Sequence, residues 1–302
     1  MSDQNQGRPL IPSGKDDSQR WTPLPNVTDA HRECSGGMIQ FATQDLPPNG
    51  RAAVLGDGEL QELSLAWLSS RFNEIWVHLP ALALPPAIEA FNSSQGDKWH
   101  PFSADLTGIT EDFLQQVDSI LETASADNAI PQLAQLAQRV QIQPYRPDRR
   151  FHLVIVSCIL SQLHLPIWNQ TLERYSARFP DSANPLSSSE QWGQAMFGLA
   201  RRMEHAFVHS LGQWVEPSGR VYLANAVQGC FVQTNEHGVW LTEGMFQLTE
   251  TLELADYVDQ TFSIEERGRW VWVIPPNQEQ GHPGRINKVQ GLILRPLVND
   301  IN

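Results

Sequence analysis

Arg51-Ala52-Ala53-Val54-Leu55-Gly56-Asp57-Gly58-Glu59-Leu60-Gln61-Glu62 decides the reading of the fold. Ala52 to Leu55 form a short continuous apolar run, which suits a strand covered on both faces. The run ends at two glycines flanking an aspartate. Behind it, Leu60, Leu63, Ala66, Trp67 and Leu68 repeat at helical spacing, so the stretch predicts strand, tight turn and helix. Glycines at 56 and 58 let the chain turn sharply and let a ligand approach the main chain. A helix that starts there offers unpaired N–H groups to the ligand's polar atoms. Asp57, Glu59 and Glu62 make the loop acidic, which repels a pyrophosphate and suits a cationic or zwitterionic small molecule. The competing reading is a plain turn whose acidic residues stabilise the helix dipole.

The same alternation continues outward. Glu74 to Leu79 reads as a second strand, halted by Pro80, with a helical piece near Pro85 to Phe91 and a short strand around Trp99 to Phe102. Helical spacing covers residues 111–126 and 131–140. Phe151-His152-Leu153-Val154-Ile155-Val156 is the clearest buried strand. Helices follow over 166–179 and 190–212, separated by the polar loop Ser182 to Ser189. Glu216-Pro217-Ser218-Gly219 reads as a turn and Arg220 to Ala224 as a strand. The last strands, Trp270 to Ile274 and Val289 to Leu294, are joined by a Pro/Gly/Gln-rich loop too short for a crossover helix, so that pair is expected to be antiparallel. The fold class is therefore α/β, three layers and Rossmann-like: a mostly parallel central sheet, helices on both faces, and an antiparallel C-terminal strand pair. Ligands of such sheets sit beyond the carboxyl ends of the strands, where strand order reverses.

Before this region, residues 1–26 are polar and aperiodic and are expected to be a disordered tail. Residues 27–50 form an N-terminal cap segment, with a helix expected after Thr28 and a stop at Gly36-Gly37. Residues 51–302 are then one domain. Segments 180–190 and 228–250, with the N-terminal 50 residues, are expected to cover the site.

The 302-residue chain carries 21 Lys plus Arg against 34 Asp plus Glu, a formal charge of −13, which argues against a general nucleic-acid binder. Three scattered cysteines make neither a disulfide framework nor a zinc motif. With no membrane-length apolar run and no leader-like start, the expectation is a cytoplasmic protein acting on a small-molecule substrate, of open oligomeric state.

Leu55-Gly56-Asp57-Gly58 after a first strand, with the terminal antiparallel pair, resembles the class I methyltransferases that use S-adenosyl-L-methionine, over roughly residues 50 to 296. The resemblance implies that Gly56 and Gly58 contact the methionyl part of the cofactor, with Asp57 or Glu62 as acidic neighbour. It implies that Asp105, in Ala104-Asp105-Leu106-Thr107-Gly108, meets the adenine amino group; the bland reading of Asp105 is an Asx turn or helix cap. Ser157-Cys158-Ile159-Leu160-Ser161-Gln162-Leu163 stands where the family's loop faces the reacting methyl group, which makes Ser157 and Gln162 the candidate acceptor-positioning residues. Pro217-Ser218-Gly219 resembles the turn before strand five.

The sequence departs from the family at the end of strand two. The family's carboxylate for the ribose hydroxyls is missing, and His78 stands in Val77-His78-Leu79-Pro80. An imidazole accepts one hydrogen bond where a carboxylate accepts two. The function expected is methyl transfer to an unidentified small molecule. The alternatives are a catalytically inactive module of the same fold, for binding or regulation, and a nicotinamide-dependent oxidoreductase, which the acidic loop disfavours. His205 and His209, four apart on a helix, lack the HExxH order of a metal site. Trp270 and Trp272 alternate on one strand face and read as cover for the sheet.

Overall fold

The computed structural model describes residues 20–21, 27–56, 64–79, 85–183, 185–234, 240–249, 251, 253–258, 261–275 and 284–297. Among the described residues, nine strands form one sheet: β1 (Arg20–Trp21), β2 (Gly50–Gly56), β3 (Phe72–His78), β4 (Trp99–Phe102), β5 (Phe151–Ser157), β6 (Val215–Thr234), β7 (Trp240–Gln247), β8 (Phe262–Ile274) and β9 (Gly284–Pro296). Among the same residues, seven α-helices flank it: α1 (Val27–Ala42), α2 (Leu65–Arg71), α3 (Pro86–Gln95), α4 (Thr110–Thr123), α5 (Ala126–Arg139), α6 (Leu165–Arg178) and α7 (Glu190–Trp214).

The central strands run β4-β3-β2-β5-β6, all parallel. Beyond them β9 pairs antiparallel with β6, and β8 antiparallel with β9, as the short terminal connection requires. Alternate residues of the apolar runs point to opposite faces. Ala53, Leu55, Val154, Val156, Val221 and Leu223 meet α4, α5, α6 and α7 on one side. Ala52, Val54, Leu153, Ile155, Tyr222 and Ala224 meet α1, α2 and α3 on the other. Both faces of β2 and β5 are thus dry, which is why these runs are continuous in apolar residues rather than alternating. Three layers result, as expected.

Four local expectations are corrected. The helix expected to stop at Gly36-Gly37 runs on to Ala42. Each helical glycine costs about 1 kcal/mol relative to alanine. Burial of Ser35, Ile39 and Ala42 holds the helix through them. The helix expected from Pro131 starts at Ala126, with Pro131 inside it, because Ala129 and Ile130 are buried and secure the turn before the proline. Glu216 to Gly219 do not precede the strand but lie within it. The pairing of β6 with β5 jumps from Phe151–Val215 to Leu153–Arg220, so this segment is looped out of register. Finally, β6 does not end at Ala224. It continues to Thr234 and pairs there with β7, which falls inside the expected covering segment 228–250.

That continuation shapes the site. Ala224 is the last β6 residue paired with β5, opposite Ser157. From Gln228 onward the edge of β6 that faced β5 is taken by β7, while β9 holds the other edge throughout. A three-stranded antiparallel ribbon, β7-β6-β9, therefore rises past the carboxyl end of β5, and β1 adds to the far edge of β7. Among the described residues no helix is long and apolar enough to cross a membrane.

Candidate functional site at the carboxyl edge of the sheet

Strand order reverses between β2 and β5: the chain proceeds to β3 and β4 on one side and to β6 on the other. Such a reversal splays the loops that follow the two strands and leaves a crevice between them. Gly56 ends β2 and Ser157 ends β5, and the two are register partners. Gly56 has φ +142, and a Cβ there would lie 2.0 Å from the Ser157 carbonyl oxygen. Glycine at this position is demanded by the protein's own backbone. Asp57, Gly58 and Glu62 lie outside the described residues. The helix expected from Leu60 is described from Leu65, where Ser64 caps it by accepting the Trp67 N–H.

On the β3 and β4 side, the structure joins two of the sequence candidates. His78 ends β3, is 9% exposed, and places Nε2 2.9 Å from the Ala104 carbonyl, in the loop after β4. Because a carbonyl only accepts, Nε2 carries the proton and Nδ1 is left as an acceptor. Burial lowers the pKa of His78, outweighing the opposing effects of the Ala104 hydrogen bond and the Asp105 charge, so the ring is neutral near pH 7. Asp105, next in sequence to Ala104, accepts from the Thr107 N–H at 3.0 Å, the Thr107 hydroxyl at 2.6 Å and the Thr110 N–H at 2.6 Å. Burial raises its pKa, but these bonds together prevail and lower it. Its carboxylate therefore fixes the turn into α4 as the Asx turn considered from the sequence, and the N-cap residue is Ile109, with no side-chain cap.

The loop after β5 is equally constrained. Cys158 adopts φ +51, a left-handed conformation uncommon outside glycine. Its N–H donates to the Ala224 carbonyl at 2.8 Å, and its own carbonyl accepts from the Gln162 side-chain amide at 2.8 Å. Gln162 thus closes the turn that carries Ser157 and Cys158. Asn225, fully buried, accepts the Leu160 N–H at 3.2 Å and donates to the Ala226 carbonyl at 2.9 Å. In sequence Asn225 directly follows the strand expected over Arg220 to Ala224. The signal was its place as the single polar residue in the run Val221-Tyr222-Leu223-Ala224-Asn225-Ala226-Val227.

The remaining candidates have structural partners. His209 Nδ1 lies 3.2 Å from the Thr261 hydroxyl, and the His205 ring packs against Tyr257 at 4.8 Å. Trp270 donates its indole N–H to His31, and Trp272 stacks on the same ring at 4.6 Å, so both tryptophans cover the sheet beneath α1.

No family model and no curated protein matches the chain. Solved structures similar to it include an S-adenosylmethionine-dependent methyltransferase from Clostridium acetobutylicum (TM-score 0.41, 8% identity, 87% of this chain and 92% of that one). A glycopeptide N-methyltransferase, MtfA, complexed with S-adenosyl-L-methionine gives a TM-score of 0.38 at 12% identity over 87% and 94%. A putative RNA methyltransferase from Pyrococcus horikoshii gives 0.38 at 11% over 89% and 85%.

Proposed function

We propose that the chain binds S-adenosyl-L-methionine at the β2–β5 crevice and transfers its methyl group to a small-molecule acceptor. The observation that carries this reading is the convergence of Gly56, His78, Asp105 and Ser157, which follow or end four parallel strands, on the edge where strand order reverses. The residues fit such a ligand. An acidic loop at Asp57 to Glu62 suits the ammonium and sulfonium groups, and neutral His78 presents Nδ1 to a ribose hydroxyl. Asp105 holds the loop that would border the adenine, and Gly56 brings main chain to the floor of the crevice. The sulfonium is an already activated methyl donor, so the protein's task is to align the acceptor and exclude water. Ser157 and Gln162 serve that alignment, Gln162 by holding the Cys158 turn and Ser157 from the end of β5.

His78 also favours a second reading, a non-catalytic binding or regulatory module. One imidazole acceptor in place of a carboxylate lacks a charge-assisted hydrogen bond, worth about 1.5–3 kcal/mol. Calorimetric titration with S-adenosylmethionine and S-adenosylhomocysteine separates the two. Heat of binding that disappears in Gly58→Val supports the methyltransferase reading. No heat at millimolar ligand refutes it and leaves the module.

A further inference from the structure

A cavity of about 270 Å³ opens beside the β5 turn, between the start of α6, the first half of α7 and the residues ending β7. Its position follows from the ribbon. Leu248 donates its N–H to the Val227 carbonyl, so that wall is pinned to β6 just past the carboxyl end of β5. Trp168, Met196 and Phe197 give the lining an aromatic and thioether character. Phe197 is 60% exposed, so a ligand that covers its ring gains by taking apolar surface out of water.

The ionisable groups of the lining differ in what a ligand can reach. Arg201 is exposed, and the five N–H donors of a guanidinium can hold a carboxylate beside another partner. His164 has its Nδ1 sealed in the protein without a partner, so only the Nε2 edge of the ring is open to a ligand. A stranded buried N–H is rarer than a stranded lone pair, which places the proton on Nε2. Burial lowers the pKa of this ring, so it is neutral near pH 7 and Nε2 donates only. Glu204 is the one acid among the described lining residues. It is 3% exposed and accepts the Tyr257 hydroxyl, so a ligand meets Arg201 directly and Glu204 only through the wall. No side chain caps the start of α6, and the positive end of its dipole acts in the same sense as Arg201. The ionisable groups within reach therefore donate hydrogen bonds, and one of them carries positive charge.

We propose that this cavity binds a small aromatic carboxylate. Arg201 holds the carboxylate, His164 supplies a second donor, and Trp168, Met196 and Phe197 hold the ring. The volume is just below the usual range for drug-sized ligands, which keeps the occupant small. The assignment of this carboxylate as the methyl acceptor rests on the methyltransferase reading; the binding site itself does not. Gln162 and Asn225 hold the turn between the cavity and the β2–β5 crevice.

The test is calorimetric titration of the full chain with three probes of one size: 4-ethylbenzoate, 4-ethylbenzamide and 4-ethylbenzylamine. 4-Ethylbenzoate is expected to bind at least tenfold more tightly than the amide or the amine. Arg201→Gln should weaken the benzoate about tenfold and leave the amide unchanged, and it alters an exposed side chain, so the variant is expected to fold. Gly193→Leu should abolish binding of the benzoate, since Gly193 lines the cavity and a Cβ there meets nothing within 4 Å. Amide or amine binding as tight as the benzoate, or benzoate affinity unchanged in either variant, overturns the proposal. S-Adenosylmethionine binding without 4-ethylbenzoate binding at millimolar probe overturns the carboxylate site alone. 4-Ethylbenzoate binding without S-adenosylmethionine binding overturns the acceptor role together with the methyltransferase reading, and binding of neither overturns both proposals.

Discussion

The side-chain oxygen of Asn225 accepts the backbone N–H of Leu160 across 65 residues of sequence, at 3.2 Å, and Asn225 has no exposed surface. One buried amide on β6 therefore dictates where the turn after β5 lies, and with it Cys158, Gln162 and the cavity wall at His164. Asn225→Ala would leave the Leu160 N–H buried without that acceptor. A loss of about 2 kcal/mol in urea unfolding is expected. Amide exchange of residues 158–164 should accelerate more than that of β2, reporting a local loosening.

Gly56 and Gly198 make an opposed pair. Alanine at 56 would combine a left-handed φ with a carbonyl 2.0 Å away, so Gly56→Ala is expected to cost about 3 kcal/mol or more. Gly198 lies within α7 with open space around its Cβ position, and Gly198→Ala should stabilise by about 0.5–1 kcal/mol. Chemical denaturation of both variants checks the contrast.

Asp105 adds an acid-side dependence. Its pKa is lowered in the folded state, so its contribution is complete above the ordinary aspartate pKa and is lost as pH falls through the folded value. The melting temperature of the wild type should drop between about pH 4 and pH 2 by more than that of Asp105→Asn. Equal slopes would show that the Thr107 and Thr110 bonds do not favour the charged form.

His78 and His164 act in a higher window. Burial lowers both pKa values, at His164 with no opposing contribution. The unfolded chain then binds more protons than the native one just below the ordinary histidine pKa of about 6.5, so stability is complete above that pH and declines as pH falls below it. Melting curves from pH 7.5 to 5.5 should show a smaller decline in the double variant His78→Gln, His164→Gln than in the wild type.

The order of strands was legible where burial on both faces forces a continuous apolar run, as in Ala52 to Leu55 and Phe151 to Val156. It was illegible where long-range pairing decides. Nothing local in Trp240 to Gln247 announces that it will share an edge of β6 with β5. The helical glycines 36 and 37 misled because tertiary burial at Ile39 and Ala42 outweighs their propensity. For the site, Asp105 was legible as an Asx turn because its carboxylate stands two residues before the Thr107 N–H that it accepts. The partnership of His78 with Ala104 was not, since it depends on β3 and β4 lying side by side.

The length of β6 has a consequence for biosynthesis. Residues 221–232 take β9 partners from Leu294 back to Gly284, so this edge of the sheet stays bare until residues 284–294 have left the ribosome. An unpaired strand of that extent is a template for pairing with other nascent chains. Shortened forms that lack β9 should therefore clump rather than persist as smaller folded units.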